Sequence, residues 1–540
     1  MIHIPKPKII KRASHIRAVS FIFLSFFFYL PFTKPSILKR KIPIKLVAWA
    51  FRVLPSSFFL LPFLTAQVFI PSDPVDLKYF ERNQYLNEKT IHSTFIRPFL
   101  RNDNGKRLGI RLMTESYFNT GVPNQENMDV RYFGKGTGQY ISFRAAYLGR
   151  FFAFIFEPYM LGGTNDNSDE ITRSSPFSVL NDYRIIKKHN FSSSGLRQGA
   201  FFLHWKGIGA GYGKLNQWWG EGQHTSIAMT NNTQPFSAYH IGTIKEFRIK
   251  KIGLMGRYVF SKLNEFEDYR AIYYTALTMG MTYYGKTIIS IGLSRNYLSG
   301  GLNIGVPWTG GNAANIVFEG LFVENKTKLD YTVDGHDPWD QTLEGFFSMT
   351  FPENKMKIFL EIAINDHRQN MVDFISQPDH ASGSMLGFRK YGLFGNPNLY
   401  MGFEYLNLAQ GKFHVFRATP NFYQRSHYND FSYKGRRWAA HSGSDSDDLL
   451  IEFGFLNNKW SFIPGFNFER HGLITSQPAE IKMELRLEAS YKWKNIRFIY
   501  NYERENARHL GFPADNVYAG EVTGERILNT SILRCEYFIE

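Results

Sequence analysis

The chain has 540 residues, a single cysteine and a formal net charge of +16, and 17% of its residues are aromatic. One cysteine excludes an intrachain disulfide framework and a cysteine-based zinc cluster. The charge does not indicate a nucleic-acid partner, because residues 1–66 hold eleven Lys and Arg and no Asp or Glu, which leaves only +5 on the rest of the chain.

Residues 1–66 predict a targeting segment. Two apolar stretches, residues 18–32 and 54–66, are each shorter than the roughly 20 residues of a membrane-spanning helix. The second follows Lys45 and Arg52 and ends in Thr65-Ala66, a small-residue junction typical of the end of a signal-peptide h-region. We therefore expect export and a mature chain from Gln67, with an uncleaved anchor as the alternative.

Residues 67–94 predict a short helical segment on the periplasmic side. Asp73 can cap a helix, Pro74 suits the first helical position, and Asp76 places negative charge near the N-terminus.

The remainder, residues 95–540, reads as β-strands. Its clearest segment alternates strictly: one face of residues 481–493 is apolar and the other is polar or charged. After Lys494-Asn495 the apolar phase flips, as a tight turn between antiparallel strands requires. The apolar face carries Ile481, Met483, Leu485, Leu487, Ala489, Tyr491 and Trp493, and the polar face carries Lys482, Glu484, Arg486, Glu488, Ser490 and Lys492.

The same alternation recurs at residues 244–260, with a turn at Lys250-Lys251, and at residues 356–364. Such strands fit a soluble sandwich or an outer-membrane barrel whose apolar face meets lipid. The targeting segment, the aromatic content and the absence of disulfides favour the barrel. The fold class is therefore all-β, a transmembrane antiparallel barrel of roughly 14 to 20 strands from its length.

Polar connections are candidates for outer loops: residues 161–175, 332–341 and 439–448. The last contains "SDSDD", whose carboxylates could meet calcium but lack the glycine and glutamate spacing of a calcium loop. We interpret it as a solvated acidic loop.

Enzyme motifs are missing from the sequence. There is no Gly-x-Ser-x-Gly elbow and no His-Glu-x-x-His pair, and "GKGTG" at 134–138 lacks phosphate-loop spacing. A hydrolase would have to use His367 or His224 with a serine brought by the fold. No cofactor or metal site is predicted.

The densest chemistry lies at residues 214–236, "KLNQWWGEGQHTSIAMTNNTQPF". Together with "RYFGKGTGQYISFRAAYLGRFFAFIFEP", "TMGMTYYGKTIISIGLSRNYLSGG" and "HYNDFSYKGRRWAAHSGSDSDD", it resembles the Wzi family of capsule assembly proteins. The resemblance implies an outer-membrane barrel of about 18 strands that binds capsular or extracellular polysaccharide and helps to hold it at the cell surface, without bond-making chemistry.

Aromatic faces stack on sugar rings, while amides and charged groups hydrogen-bond hydroxyls and carboxylates. The candidate polysaccharide-binding residues on that basis are Trp218, Trp219, Glu221, His224, Asn231, Asn232, Asp337, Trp339 and Arg436.

Structural interpretations compete with this assignment. Neighbouring strand residues face opposite ways, so we expect one of Trp218 and Trp219 in an interfacial aromatic girdle and the other packed in the lumen. Asn231-Asn232 is a turn signature first. A diffusion channel and a barrel-embedded hydrolase remain alternative functions. The partners expected are polysaccharide and outer-membrane lipid, and the oligomeric state stays open.

Overall fold

The structure is a computed structural model, and all its described segments belong to one compact unit, Phe63–Glu540. It describes residues 69–70, 72–87, 91–100, 108–166, 171–183, 185, 188–264, 270–301, 308–318, 338–365, 371–411, 419–423, 431–476, 478–512 and 524–539. The targeting segment predicted for residues 1–66 lies outside these segments.

Long antiparallel strands make up most of the described chain. In chain order the elements are β1 (Phe69–Ile70), α1 (Pro74–Asn87), β2 (Ile96–Arg97), β3 (Phe99–Leu100), β4 (Leu108–Asn119), β5 (Gly136–Leu148), β6 (Phe152–Thr164), β7 (Asn190–Trp205), β8 (Ile208–Lys214), β9 (Trp218–Trp219), β10 (Ser237–Thr243), β11 (Phe247–Ile249), β12 (Ile252–Lys262), β13 (Ile272–Tyr284), β14 (Ile288–Gly300), α2 (Gly310–Asn315), β15 (Trp339–Phe351), β16 (Met356–Asn365), α3 (Met371–Ser376), β17 (Ser382–Leu393), β18 (Asn396–Asn407), β19 (Ser432–Tyr433), β20 (Arg436–Arg437), β21 (Ser446–Leu456), β22 (Trp460–His471), β23 (Glu480–Trp493), β24 (Ile496–Arg508) and β25 (Arg526–Ile539).

Within the described residues these strands form a closed barrel of 18 strands, counting β10 and β11 as two parts of one strand because both pair with β12. The barrel closes where β25 pairs with β4, in a register that runs from Thr530 opposite Asn119 to Ile539 opposite Ile110. Closure leaves no free sheet edge. A sheet in lipid requires this, because unpaired backbone groups find no water there. The predicted fold class is confirmed.

The two ends of the barrel differ. At one end the strands are joined by tight turns, among them Lys250-Lys251 and Lys494-Asn495 as predicted, and Lys250 and Lys494 adopt the left-handed conformation with φ of 52° and 53°. At the other end the connections are long. Short turns mark the periplasmic end of such barrels and long loops mark the outer end.

The alternating faces meet different surroundings. On β23 Leu485 is 60% exposed, whereas Lys482 and Glu484 are completely buried inside the barrel. The predicted lipid face and polar lumen face of this strand are confirmed. Exposed Trp205, Trp460 and Trp493 lie at strand ends beside the short turns, where an interfacial aromatic girdle is expected.

The predicted helix is α1, and its N-terminus is capped as expected: Oδ1 of Asp73 accepts the backbone N–H of Val75 at 3.1 Å. It does not lie beside the barrel. It fills the lumen at the short-turn end, where Arg82 contacts Asn398 and Asn458 next to two of the turns. No helix in the described segments is long and apolar enough to cross a membrane.

The exposure pattern of β23 generates a test. Leu485→Arg should reduce folded barrel, because a cation near the bilayer midplane costs about 2–4 kcal/mol. The measurement is the fraction of faster-migrating, unheated protein on gels after refolding into lipid. Leu485→Ile at the same position is the control, and equal yields for the two variants would contradict the assignment of this face to lipid.

Candidate functional site

The tryptophan pair lies inside the lumen. Trp218 and Trp219 form β9, which pairs with β2 so that Ile96 faces Trp219 and Arg97 faces Trp218. Both indole side chains are fully buried. The prediction that one of them lies in the interfacial girdle is therefore wrong. Both tryptophans lie in the lumen because β9 pairs with β2, which is itself inside the barrel.

The Arg97 guanidinium lies over the Trp218 ring, 4.9 Å from its centre, and donates a hydrogen bond of 2.6 Å to the carbonyl of Gly222. Gly220 has a φ of +112°, and a Cβ at this position would lie 2.2 Å from Oε1 of Glu361. A glycine is required here for both reasons. The chain after the tryptophans thus makes a tight turn against the barrel wall.

Two wall carboxylates hold this turn, which we call the 220–227 turn. Glu404 on β18 accepts consecutive backbone N–H groups, from Gln223 at 2.7 Å and from His224 at 3.0 Å. Glu361 on β16 accepts those of Glu221 at 3.1 Å and Ile227 at 3.2 Å. Each carboxyl group thus accepts two backbone N–H groups of the turn, which anchors the turn to the wall.

Glu221 is buried within the same contacts. It accepts hydrogen bonds from Thr94 at 2.6 Å and Ser348 at 2.9 Å, and it pairs with Lys357 at 3.0 Å. Burial alone would raise the pKa of Glu221, but Lys357 and the bond from Thr94 outweigh burial and lower that pKa. These contacts use its carboxylate to join the N-terminal segment, the turn and the wall.

Helix α1 is bound to the wall by charge. Glu81 pairs with Arg389 at 2.8 Å and with Lys357 at 2.9 Å, and these cations lower the pKa of Glu81 against the effect of burial. Lys78 pairs with Glu452 at 2.6 Å and Glu488 at 3.1 Å. The helix is therefore a fixed plug at the periplasmic end.

Asn231 and Asn232 lie in a bend, as the turn interpretation predicted. Asn232 exchanges two side-chain hydrogen bonds with Asn181, both of 3.0 Å, and donates to the carbonyl of Arg437 at 3.0 Å. Its Oδ1 also accepts the N–H of Asn127 at 3.0 Å. Asn232 thus joins four connections at the outer end. Asn231 is also buried.

The "SDSDD" segment is not a solvated loop, and that prediction is wrong. Asp445, Asp447 and Asp448 are all buried, and residues 446–448 begin β21. Asp445 accepts the N–H of Thr475 at 2.8 Å. Asp448 faces the lumen, so its neighbour Asp447 points to the opposite face of β21, where it is covered by its ion pair with Arg470.

His224 and His441 come together at Asp448, an association that the sequence did not indicate. Nε2 of His224 lies 2.9 Å and Nε2 of His441 lies 3.1 Å from Oδ2 of Asp448. Burial alone would lower the pKa of His441, but the adjacent carboxylates of Asp448 and Glu126 raise it to about 9. Residues from distant parts of the chain meet here, so no local spacing could have revealed the cluster.

The hydrolase interpretation finds no nucleophile at His224. The side-chain partners of its ring are Asp448, Asn467 and Arg486, and within the described residues no serine hydroxyl hydrogen-bonds to it. The other candidate, His367, lies outside the described residues.

The remaining predicted site residues do not lie together. Trp339 is the first residue of β15, and its ring packs on Trp308 with 5.7 Å between centres. Arg436 lies on the β19–β20 hairpin, where it lines a cavity that does not include Trp339. Asp337 lies outside the described residues.

We call the space beside Arg436 the outer cavity. It measures about 190 Å³ and lies among the long connections; its lining includes Tyr132, Asn181, Asn232, Gln234, Lys434 and Arg436. Within the described residues no carboxylate lies at ion-pair distance from Arg436, which donates to the carbonyls of Tyr183 at 3.2 Å and Gly435 at 2.8 Å. Burial lowers the pKa of Arg436 to about 10, so the group stays cationic at neutral pH. The cavity thus combines the Arg436 cation, amides and an aromatic ring; its one carboxylate, Asp129, is already paired with Arg197 at 2.7 Å.

Comparison with known proteins gives two kinds of likeness. The family model described as capsule assembly protein Wzi matches residues 119–455, more than half of the chain. No curated protein sequence matches.

Among solved structures, the chain is similar to Escherichia coli Wzi, described as a carbohydrate-binding outer-membrane β-barrel involved in group 1 capsule assembly, with 11% identity, a TM-score of 0.51, and coverage of 78% of this chain and 83% of that one. Acinetobacter baumannii OccAB1 matches at 9% identity and a TM-score of 0.39, over 80% of this chain and 97% of its own. At this identity the likeness to Wzi concerns the fold.

The plug contacts generate a prediction. Arg389→Met should lower the thermal stability of the barrel, because removing one partner of a buried pair costs about 3–5 kcal/mol. The loss should show as a lower temperature at which the unheated gel form disappears, and as faster proteolysis of α1.

Replacing both partners, Glu81→Leu with Arg389→Met, should recover part of the loss because no lone charge stays buried. Lys286→Met removes an exposed pair with Glu353 and serves as the neutral control. A double variant as unstable as the sum of its single variants would show that the two residues are not coupled.

Proposed function

Because the chain belongs to the Wzi family of capsule assembly proteins, we propose that it binds secreted polysaccharide at the outer face of the outer membrane and holds it at the cell surface. The family and the closed barrel place the protein in the outer membrane of a Gram-negative cell. The plug and the inward loops occupy the lumen, so the surface available to the polymer is the end of the barrel with the long loops.

The observation that carries the proposal for this chain is the outer cavity. Arg436 is cationic, partly buried and without a carboxylate partner among the described residues, and Lys434 adds a second cation at the rim. A guanidinium matches the planar geometry of a carboxylate. The chemistry favours an acidic sugar unit, such as a uronate or a pyruvylated sugar, over a neutral one.

The size of the cavity limits what enters it. Pockets for drug-sized ligands usually span about 300–1,000 Å³, and this one is smaller at about 190 Å³. We propose that it takes one acidic unit or substituent, against the ring of Tyr132 and the amides of Asn181 and Gln234, while the rest of the polymer runs over the loops.

The buried motif residues have another part in this proposal. Trp218, Trp219 and Glu221 fix the 220–227 turn to the wall, and Asn232 ties the outer connections together. Trp218, Trp219 and Glu221 shape the surface that meets the polymer without touching it, whereas Asn232 also lines the outer cavity. We propose no bond-making chemistry for the protein.

Gene deletion should leave polymer synthesis intact and shift polymer from the cell surface into the medium. The measurement is cell-bound against released polysaccharide in the deletion strain and in the complemented strain. Unchanged surface polymer, together with ion conductance of the purified protein in planar bilayers, would replace attachment with the channel interpretation.

Within the protein, Arg436→Met should weaken binding of an acidic oligosaccharide about tenfold or more, because a hydrogen bond to a charged group contributes about 1.5–3 kcal/mol. Surface retention per folded barrel should fall as well. Arg150→Met, at an exposed short turn of the opposite end, is the matched control. Equal affinities for the two variants would remove Arg436 from the binding site.

A further inference from the structure

A second cluster lies deeper in the lumen, and it brings together three connections and one strand of the barrel. His224 comes from the 220–227 turn, His441 from the connection between β20 and β21, Asp448 from the start of β21 and Glu126 from the connection between β4 and β5. Ligand atoms of the two histidines and Asp448 all lie within 4.8 Å of one another, as do those of His441, Glu126 and Glu469.

Two atoms beside this cluster lack a close partner. Nε2 of His224 and Nε2 of His441 both lie at ion-pair distance from Oδ2 of Asp448, whereas among the described residues no hydrogen bond reaches Nδ1 of His441 or Oε1 of Glu126, although both residues are buried or nearly so. Nε2 of His441 lies 3.1 Å from Oδ2 of Asp448 and 4.0 Å from Oε1 of Glu126. Buried polar atoms usually have a partner, so Nδ1 of His441 and Oε1 of Glu126 leave room for a further one.

The surrounding contacts suit a metal site. Asn467 donates to the other oxygen of Asp448, Oδ1, at 2.6 Å, which orients the carboxylate and leaves Oδ2 free. Glu126 likewise uses Oε2 toward Arg486. A cavity of about 180 Å³ in the lumen is lined in part by His224 and Glu126, at one side of the cluster.

We propose that His224, His441 and Asp448 bind a divalent transition-metal ion of the Zn²⁺ class, with the Glu126 carboxylate beside them. Two imidazoles with carboxylates are the ligand set of such ions, whereas Ca²⁺ and Mg²⁺ prefer all-oxygen sets. The ion cross-links the 220–227 turn, the connection before β21 and the wall strand β21, so it holds these segments together. This inference does not depend on the sugar proposal.

Coordination has a consequence for His224. Binding through Nε2 leaves the proton on Nδ1, which lies 3.3 Å from Arg486. Because a guanidinium only donates, coordination through Nε2 would require Arg486 to give up this contact; Glu484 and Glu503 lie 2.9 Å and 3.1 Å from its guanidinium.

The experiment uses the full mature chain, folded in detergent and treated with EDTA. Zn²⁺ titration by calorimetry should show one site per chain, Co²⁺ should give a visible absorption band, and Zn²⁺ should raise the temperature at which the folded gel form is lost. His441→Gln and Asp448→Asn should weaken Zn²⁺ binding at least tenfold.

His240→Gln replaces another buried histidine that is remote from the ligand set and should bind as the unchanged protein does. If a variant does not fold, the Co²⁺ band and the Zn²⁺ stoichiometry of the unchanged chain decide. Binding of no Zn²⁺, equal binding by His441→Gln, or uptake of Ca²⁺ or Mg²⁺ in preference would overturn the proposal and leave a protonated His441 paired with Asp448.

Discussion

The structure depends on the pairing of charges inside the barrel. The lumen faces of the strands carry charged side chains, and a charge removed from water needs a partner of opposite sign or hydrogen bonds to polar groups. Those partners come from the segments that enter the lumen. Glu81 of α1 meets Arg389 and Lys357, and Glu404 holds the backbone of the 220–227 turn. The charges of the wall therefore require the plug, and the charges of the plug require the wall.

This mutual requirement explains which parts of the fold the sequence revealed. Period-two alternation depends only on which face of a strand is apolar, so it located β23, β24 and the turn at Lys494 correctly. Asp73 and Pro74 predicted the start of helix α1. Each of these signals is local, since it is carried by residues within a few positions of one another.

The lumen contents carried no such signal. Trp218 and Trp219 resembled girdle residues because aromatic residues serve both an interface and a packed interior. The aspartates at 445–448 resembled a solvated loop because carboxylates usually are solvated, and only the distant partners Thr475, Arg470 and His441 make their burial possible. Of the predicted site, Arg436 lines the outer cavity, whereas the motif residues support the loops around it.

The position of α1 also bears on how the barrel reaches its closed form. The first turn of the helix spans the joint between the last and first strands: Asp76 pairs with Arg111 on β4 at 3.0 Å, and Asp73 with Arg534 on β25 at 3.4 Å. Asp76 also reaches Arg497 on β24. Asp73 and Asp76 precede all the barrel strands in the chain. The joint between β25 and β4 can form only after the last strand is present, and these two residues supply its countercharges. The ion pairs of the N-terminal segment therefore form only when the sheet is closed, and the closed sheet in turn holds the plug in the lumen.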